Sequence, residues 1–284
     1  NYAYFMEMGC GKSKVLIDNI TWLYENKKID TAIIVAPKGV YMNWKNAEIP
    51  IHLPDNIEKN VYVWKASANK TEKKILEEGV KTRDKLRILL VNAESFATAK
   101  VIKYLEAFIH RSNFMLAVDE STTIKNIKAK RTKSVLKIGD SAQYKRILTG
   151  SPITQSPMDL YAQCAFLDKD LLGFDSYWSF QGRYAIVRQT RMGNHSFQQV
   201  VGFRNLEELT DKLHRFAYRV TKKEALDLPD KIYTTREVIL TSDQIKHYNS
   251  MKDSAVAFLE GGDMVTAPEV MTRLLRLQQL LCGY

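Results

Sequence analysis

The chain has 284 residues, of which 45% are hydrophobic, and this is enough to bury one large core or two small ones. Its 42 basic and 32 acidic residues give a net charge of +10, which suits nucleic acid, an anionic membrane or an ordinary basic protein. No apolar run approaches the roughly 20 residues of a membrane span, and no secretory signal is evident. Because the three cysteines form no disulfide framework, we expect a reduced, intracellular protein.

Short apolar runs alternate with amphipathic stretches in the first half of the chain and predict six strands. These are Ala3–Phe5, Ala32–Val35, Val61–Trp64, Ile88–Val91, Met115–Val118 and Arg146–Leu148. Apolar strands separated by helices are typical of an α/β fold with a mainly parallel sheet covered by helices on both faces. Ligands of such sheets bind at the carboxyl ends of the strands. Polar or Gly/Pro-containing sequences lie at four of these ends, namely "VAPK", "VNAE", "VDES" and "LTGSP".

The pattern changes after about Phe166. Residues 170–205 contain aromatic, Gly and Arg residues without a strand-helix rhythm, and they predict an irregular insertion or connector. Residues 241–282 have helical spacing, and "MTRLLRLQQLL" within them is strongly amphipathic. We therefore predict two parts, a first over 1–168 that contains the parallel sheet and an extension with C-terminal helices over 169–284.

The first predicted strand leads into "MEMGCGKS", which resembles the second half of the phosphate-loop motif GxxxxGK[ST]. Met6 replaces the first Gly, so the alternative is a plain Gly-rich turn. Glycines let the backbone approach a phosphate, and the helix that follows presents its positive end. Lys12 would reach the β- and γ-phosphates of ATP, and the Ser13 hydroxyl would bind Mg²⁺. The predicted ATP-binding residues are Met8, Gly9, Cys10, Gly11, Lys12 and Ser13.

The strand "FMLAV" ends in Asp119-Glu120, about a hundred residues after the phosphate loop. An ATPase of this type needs one carboxylate to hold Mg²⁺ and a second to orient or deprotonate the attacking water. The adjacent acids supply both, with Asp119 for the metal and Glu120 as the candidate general base. The alternative is two solvated acids in a turn.

The cysteines and histidines are too dispersed to predict a disulfide framework or a structural metal site. They are Cys10, Cys164 and Cys282, and His52, His110, His195, His214 and His247.

Seven motifs in order resemble the Swi/Snf-like ATPases of helicase superfamily two. They are "MEMGCGKS", "IIVAPKGVYMNWKNAEI", "LLVNAESF", "VDESTTIKN", "LTGSPITQSPMDLYAQCAFL", "YRVTKKEALDLPDKI" and "RLLRLQQLLCG". The chain departs from the family pattern where Met6 replaces Asp, Ser121-Thr122 replace Ala-His, Gln155 replaces Asn and Arg219-Val220 replace Arg-Arg. Thr122 can form hydrogen bonds but cannot become a cation as His can.

The resemblance implies a RecA-like P-loop lobe, with a family-specific extension that closes it and leads toward a second lobe. It also implies ATP and Mg²⁺ as cofactors, and catalytic roles for Lys12, Asp119 and Glu120. Thr149, Gly150 and Ser151 would couple the ATP and DNA sites. Since the chain begins at Asn1 rather than Met, we expect it to be part of a longer protein. The second lobe, with the arginines expected at the γ-phosphate, lies outside it.

Five residues are predicted to contact DNA: Lys38, Asn43, Lys125, Asn126 and Gln155. The basic run "IKNIKAKRTKSVLKIG" could place further lysines on a helix from about Ala129 toward phosphates, or it could form a solvated basic face. Trp44 is predicted to be a core residue rather than a base-stacking one. Without a recognition helix or zinc module, the contacts should be to the DNA backbone and not specific for sequence.

We therefore expect an ATP-dependent double-stranded DNA translocase in which two lobes alternately grip one strand. The alternatives are a strand-separating helicase and a non-catalytic, ATP-gated DNA-binding module. The composition also predicts a phage or bacterial source. The protein would then act in the bacterial or host cytoplasm, with the nucleus left open as a location.

Overall fold

A computed structural model of the chain describes residues 1–192, 195–229, 232–260 and 267–282. Contacts between residues group Asn1–Leu228 into one unit and Pro229–Tyr284 into another. The predicted division between residues 168 and 169 stays a prediction.

Nine strands lie within the described residues. They are β1 (Tyr2–Met6), β2 (Thr31–Ala36), β3 (Lys59–Val63), β4 (Leu86–Asn92), β5 (Phe114–Asp119), β6 (Tyr144–Leu148), β7 (Ala185–Met192), β8 (His195–Phe203) and β9 (Ala217–Val220). Seven of them form one sheet in the order β3-β4-β2-β5-β6-β1-β9, and each neighbouring pair in this sheet is parallel. The six predicted strands all lie in this sheet, as expected for an α/β fold.

The helices of the described residues follow in chain order. They are α1 (Lys12–Glu25), α2 (Tyr41–Asn43), α3 (Ile49–His52), α4 (Lys70–Lys81), α5 (Ala99–Ile109), α6 (Lys130–Gly139), α7 (Leu160–Leu167), α8 (Tyr177–Tyr184), α9 (Leu206–His214), α10 (Lys222–Ala225), α11 (Ser242–Glu260) and α12 (Ala267–Leu281). A π-helical turn, Trp44–Glu48, joins α2 to α3. The second unit contains α11 and α12, which confirms the helical pattern predicted for the end of the chain.

Two hydrophobic clusters cover the two faces of the main sheet because alternate residues of a strand point to opposite sides. In β2, Ile34 packs in a cluster with Leu16 and Ile20 of α1. The neighbouring residue Ile33 packs in the other cluster, with side chains of α4, α5, α6 and α7 that include Phe108. The predicted arrangement of a parallel sheet between two helical layers is therefore confirmed.

The prediction of an irregular connector over 170–205 is wrong. This segment contains α8 and an antiparallel hairpin of β7 and β8. The strands are hard to detect because polar residues such as Arg188 and Gln189 replace a continuous apolar run, and both of these side chains are exposed. Pairing of the two strands with each other satisfies their backbone groups, which a hydrophobic pattern does not reveal.

Strand β9 is also absent from the sequence-based prediction. It has only four residues, and its Tyr218 is 53% exposed, so it lacks the apolar character of an interior strand. It pairs with β1 along the register Ala3 to Ala217 through Met6 to Val220. The chain thus returns to the strand that precedes the phosphate loop.

Arg87 of β4 is a buried charged residue that ties the sheet to the helical layer. Its guanidinium donates hydrogen bonds to Gly79 O at 3.1 Å, Phe108 O at 3.3 Å and Thr31 Oγ1 at 2.6 Å. It also lies 4.6 Å from the centre of the Phe108 ring. Burial lowers the pKa of Arg87, and the charge of Asp30 opposes this effect.

Replacing Arg87 by Met is expected to lower the free energy of unfolding by about 2 kcal/mol, because buried oxygen acceptors lose their donors. Urea denaturation followed by circular dichroism measures the change. Arg83→Leu is the matched control, because this exposed residue should cost less than about 1 kcal/mol. Equal losses in both variants would mean that the buried network contributes nothing specific.

Candidate nucleotide and nucleic-acid site

The phosphate loop, the acidic pair and the Thr-Gly-Ser turn follow three adjacent strands of the main sheet. Strand β6 pairs with β1 on one side and with β5 on the other, and all three run in the same direction. Their carboxyl ends therefore lie at one edge of the sheet, where α/β proteins bind ligands. The fold therefore brings Gly9 and Thr149, which are 140 positions apart in the sequence, to the same edge of the sheet.

The loop between β1 and α1 has the backbone conformation that its glycines allow. Gly9 and Gly11 have φ angles of +88° and +84°, which L-amino acids with side chains rarely adopt. Gly11 is also the N-cap of α1, which begins at Lys12. The amino end of a 14-residue helix therefore faces the loop, as anion binding requires.

The Lys12 side chain turns back toward the loop. Its Nζ donates to Met6 O at 2.9 Å and to Glu7 O at 3.3 Å. An ammonium group that donates to neutral carbonyls can exchange these partners for the stronger bonds that a phosphate offers. The conformation thus places a cation inside the predicted phosphate loop.

Asp119 ends β5 and is 8% exposed. Trp44 Nε1 donates to its Oδ2 at 2.9 Å, and the backbone N–H of Glu120 donates to its Oδ1 at 3.0 Å. Burial raises the pKa of Asp119, the hydrogen bond from Trp44 lowers it, the charge of Glu120 raises it and the charge of Lys12 lowers it, with a net increase. A divalent cation would offset the cost of this buried negative charge.

Trp44 was predicted to be a core residue, and it is 1% exposed, so this prediction is confirmed. Sequence reasoning missed its second role, which is to orient the predicted metal ligand. The π-helical turn in which Trp44 lies is a rare conformation that often occurs at functional sites. The π-helical turn marks Trp44 as a candidate site residue, but it can be recognised only in the structure.

Trp44→Phe keeps the apolar ring and removes the donor to Asp119. Burial then raises the pKa of Asp119 with less opposition, so the carboxyl should become protonated at a higher pH than in the wild type. As the pH is lowered, the variant should therefore lose magnesium-dependent binding of a fluorescent ATP analogue at a higher pH than the wild type does. Binding titrations between about pH 4 and pH 8 measure this difference. The exposed Trp22→Phe serves as control, and superimposable profiles for all three proteins would contradict the proposed contribution of Trp44.

Glu120 follows Asp119 with a φ of +48°, an uncommon conformation for a residue with a side chain. Its Oε2 accepts a hydrogen bond from Thr149 Oγ1 at 3.0 Å. Backbone strain of this kind is tolerated where the surroundings hold it, and it clusters at functional sites. The second carboxylate is therefore oriented by the turn that follows β6.

The turn after β6 also contacts the phosphate loop. A Cβ atom added to Gly150 would lie 3.4 Å from both Glu7 Cα and Met6 O, so this residue packs within van der Waals range of the phosphate loop. The N–H of Ser151 donates to Thr149 Oγ1 at 3.2 Å. One turn thus contacts both the phosphate loop and Glu120. Coupling of the ATP and DNA sites by Thr149, Gly150 and Ser151 stays a prediction.

The residues at these three strand ends fit ATP and Mg²⁺, which the family resemblance implies. Nothing lies within 4 Å of where a Cβ would stand on Gly9 or Gly11, so the loop backbone is open to a ligand. Ser13 lies in the first turn of α1 and is partly exposed. The donor set combines backbone N–H groups and an ammonium for phosphate with a hydroxyl and a carboxylate for Mg²⁺.

Two of the predicted DNA contacts lie near the end of β2. Lys38 and Asn43 are both exposed. Asn43 Nδ2 donates to Glu48 Oε1 at 3.0 Å, so a DNA contact by this amide would have to replace that bond or use its oxygen.

The other three predicted DNA contacts line a cavity of about 660 Å³. Asn126 and Gln155 are exposed, whereas Lys125 is partly buried with its Nζ 3.4 Å from Asp159 Oδ2. Burial raises the pKa of Asp159, but hydrogen bonds from Gln155 and Thr154 and the charge of Lys125 lower it overall. Lys125 is therefore held in an ion pair, and a role in DNA binding for all three residues stays a prediction.

The same cavity contains a residue that sequence reasoning missed. Trp178 of α8 is 59% exposed, and Lys128 Nζ lies 5.1 Å from the centre of its ring. Exposed aromatic rings next to cations are common in nucleic-acid sites. The only sequence signal was the aromatic content of a segment without clear periodicity.

The described residues contain no helix that is long and apolar enough to cross a membrane. Nor do they contain a group of three or more His, Cys, Asp or Glu side chains placed to hold a metal ion.

Comparison with known families and structures gives consistent similarities. The profile of the SNF2-related domain matches residues 5–283. The ATPase core of a SWI2/SNF2 protein from Sulfolobus solfataricus, solved in complex with double-stranded DNA, has a TM-score of 0.58 at 24% identity. The similarity covers 98% of this chain and 53% of that one, and it confirms the predicted RecA-like fold.

Curated relatives cover nearly the whole chain. The human helicase-like transcription factor is 24% identical over 95% of this chain, which spans 26% of that protein. The chromatin-remodeling subunit snf22 of Schizosaccharomyces pombe is 28% identical over 90% of this chain, which spans 14% of that protein. The chain thus spans about a quarter or less of these relatives. Both are eukaryotic, so they do not support the predicted phage or bacterial origin.

Proposed function

Because the chain belongs to the SNF2-related domain family, we propose that it is the first RecA-like lobe of an ATP-dependent double-stranded DNA translocase. The observation that carries this proposal is the turn after β6. Thr149 binds the candidate base Glu120, and Gly150 lies against the phosphate loop. A change at the nucleotide would therefore be transmitted to the segment that continues to Gln155. The names of the relatives, a chromatin-remodeling subunit among them, support DNA as the partner.

Each catalytic residue has a distinct proposed role. Lys12 and the backbone of Gly9 and Gly11 hold phosphate, while Ser13 and Asp119 hold Mg²⁺. Glu120 accepts a proton from the attacking water. Bound ATP supplies the phosphoanhydride bond whose hydrolysis drives movement, and bound Mg²⁺ neutralises charge on the phosphates.

Contacts with DNA are proposed to involve the backbone, since the chain carries 42 basic and 32 acidic residues. Lys38, Asn43, Asn126 and Gln155 remain the proposed contacts, with Trp178 added from the structure. Lys125 is proposed to position Asp159 and to contact DNA only if that ion pair opens. The proposed location is intracellular, with the nucleus included because of the chromatin-remodeling relative.

A second RecA-like lobe is expected to complete the motor, because arginines from it would contact the γ-phosphate. Such arginines contribute about 10³–10⁵ to rates of related phosphoryl transfer. We therefore propose that the 284-residue chain alone binds ATP weakly and hydrolyses it slowly.

The test is the steady-state ATPase activity of the longest protein encoded with this chain, without nucleic acid and with blunt duplex DNA, single-stranded DNA or RNA. Strong stimulation by duplex DNA supports the translocase. Stimulation only by single strands would indicate a strand-separating helicase instead. ATP binding without turnover on any polymer would indicate an ATP-gated DNA-binding module.

A further inference from the structure

A separate cavity of about 340 Å³ opens between α4 and α5, beside the end of β3. It is unrelated to the phosphate loop, because β3 is an edge strand and β1 lies five strand positions away in the sheet. At about 4.8 Å per strand, the two sites are about 24 Å apart. None of the residues assigned above to ATP, Mg²⁺ or DNA lines this cavity.

The walls of the cavity are apolar and partly rigid. The rings of Trp64 and Tyr104 pack with their centres 4.9 Å apart and their planes tilted by 35°, and the Tyr104 hydroxyl donates to Leu76 O at 3.0 Å. Ala68 and Leu76 complete the apolar lining. The capping box that starts α4 at Asn69 holds the chain just beyond Ala68 in place.

Trp64 contributes a second signal. Its side chain is 5% exposed, and its Nε1–H finds no hydrogen-bond acceptor among the residues that the structure describes. Leaving such a donor unpaired in the interior is costly, and native structures usually satisfy it. One residue that lines the cavity therefore carries a buried donor without an acceptor among the described residues.

The lining residues of this cavity carry an excess of positive charge. Four are lysines, Lys65, Lys73, Lys100 and Lys103, and Glu77 is the one acid among them. Lys65 is paired with Glu72 at 2.6 Å, and Lys100 donates to Ala66 O at 3.3 Å. Lys73 and Lys103 are exposed, as Lys100 is, and the lining lysines leave net positive charge around an apolar floor.

We propose that this cavity is a docking site for a short acidic segment of another protein, which inserts one bulky apolar side chain between α4 and α5. Carboxylates that flank the inserted side chain would face Lys73 and Lys103. The apolar floor favours a peptide over nucleic acid, because a phosphodiester backbone cannot fill a pocket lined by Trp64, Leu76 and Tyr104 without losing its own hydration. Exposed lysines alone would not distinguish an acidic peptide from nucleic acid, because both are negatively charged.

The test uses the 284-residue chain and fluorescein-labelled acidic hexapeptides that differ only at one central residue. Fluorescence anisotropy should show that peptides with central Phe, Leu or Trp bind at least about tenfold more tightly than the one with central Ala, as expected for burial of a large side chain. The Ala68→Leu variant, which fills the floor of the cavity, should remove this preference.

Charge is tested with two double variants that change the net charge equally. Lys73→Glu with Lys103→Glu should weaken binding of the Phe peptide about tenfold, whereas Lys81→Glu with Lys133→Glu, both outside the cavity, should have little effect. All four lysines are exposed, so the fold should tolerate these changes.

Three results would overturn the proposal. One is that no peptide of the series binds, and another is that the Ala and Phe peptides bind equally. The third is that a blunt 20-base-pair duplex binds, displaces the peptides and is weakened by the Lys73/Lys103 variant, since this would identify a nucleic-acid surface instead. Loss of the Phe preference in Ala68→Leu, together with selective loss in the Lys73/Lys103 variant, would support it.

Discussion

Glu120→Gln is expected to reduce the rate of ATP hydrolysis by about 10²–10⁴-fold while leaving ATP binding nearly unchanged. Gln has the same shape and can still accept the hydrogen bond that Thr149 Oγ1 makes to Glu120 Oε2. It cannot accept a proton from water, so the chemical step should fail without loss of the fold. Steady-state turnover of the longest encoded protein, compared with binding of a fluorescent ATP analogue, separates these two effects.

Glu94→Gln is a suitable control for this experiment. Glu94 also follows a strand of the main sheet, β4, but it is exposed and lies outside the candidate site. Turnover within a few-fold of the wild type in Glu120→Gln would remove Glu120 as the general base. A parallel loss of nucleotide binding would instead assign it a structural role next to Thr149.

Lys12→Ala is expected to weaken ATP binding by about 10²-fold, because charge-assisted hydrogen bonds contribute about 1.5–3 kcal/mol each. Turnover at subsaturating ATP should fall by at least as much. The fold should change little, since the hydrogen bonds of Lys12 Nζ within the described residues go to the carbonyls of Met6 and Glu7 in its own loop. Titration with a fluorescent ATP analogue measures the loss directly.

The control is Lys14→Ala, two residues after Lys12 in α1. Lys14 lies on the same helix and forms a solvent-exposed ion pair with Asp18 at 2.6 Å, which should contribute less than about 1 kcal/mol. If Lys12→Ala bound ATP as tightly as Lys14→Ala, the loop would be a plain Gly-rich turn, and the ATPase proposal would lose its main support.

The core of the fold and the positions where chemistry is expected can be predicted from local stretches of the sequence. Continuous apolar runs such as Ile88–Val91 predict interior strands because a strand buried on both faces has no polar positions. Local motifs such as "GCGKS" suit a particular backbone shape, since glycine readily adopts the positive φ angles that Gly9 and Gly11 have. Each of these patterns is contained in a stretch of a few neighbouring residues, so it can be recognised without knowledge of the fold.

How these segments meet in space cannot be predicted from such local signals. Trp44 and Asp119 are 75 positions apart, and their hydrogen bond depends on the packing of a helical turn against a strand end. The four-residue strand β9 exists because β1 offers it an edge, and the contact of Gly150 with Glu7 requires β6 to lie beside β1. The cavity between α4 and α5 has no sequence motif either, because its walls come from separate elements. Contacts of this kind depend on the distance between segments in space, which hydrophobic periodicity does not encode.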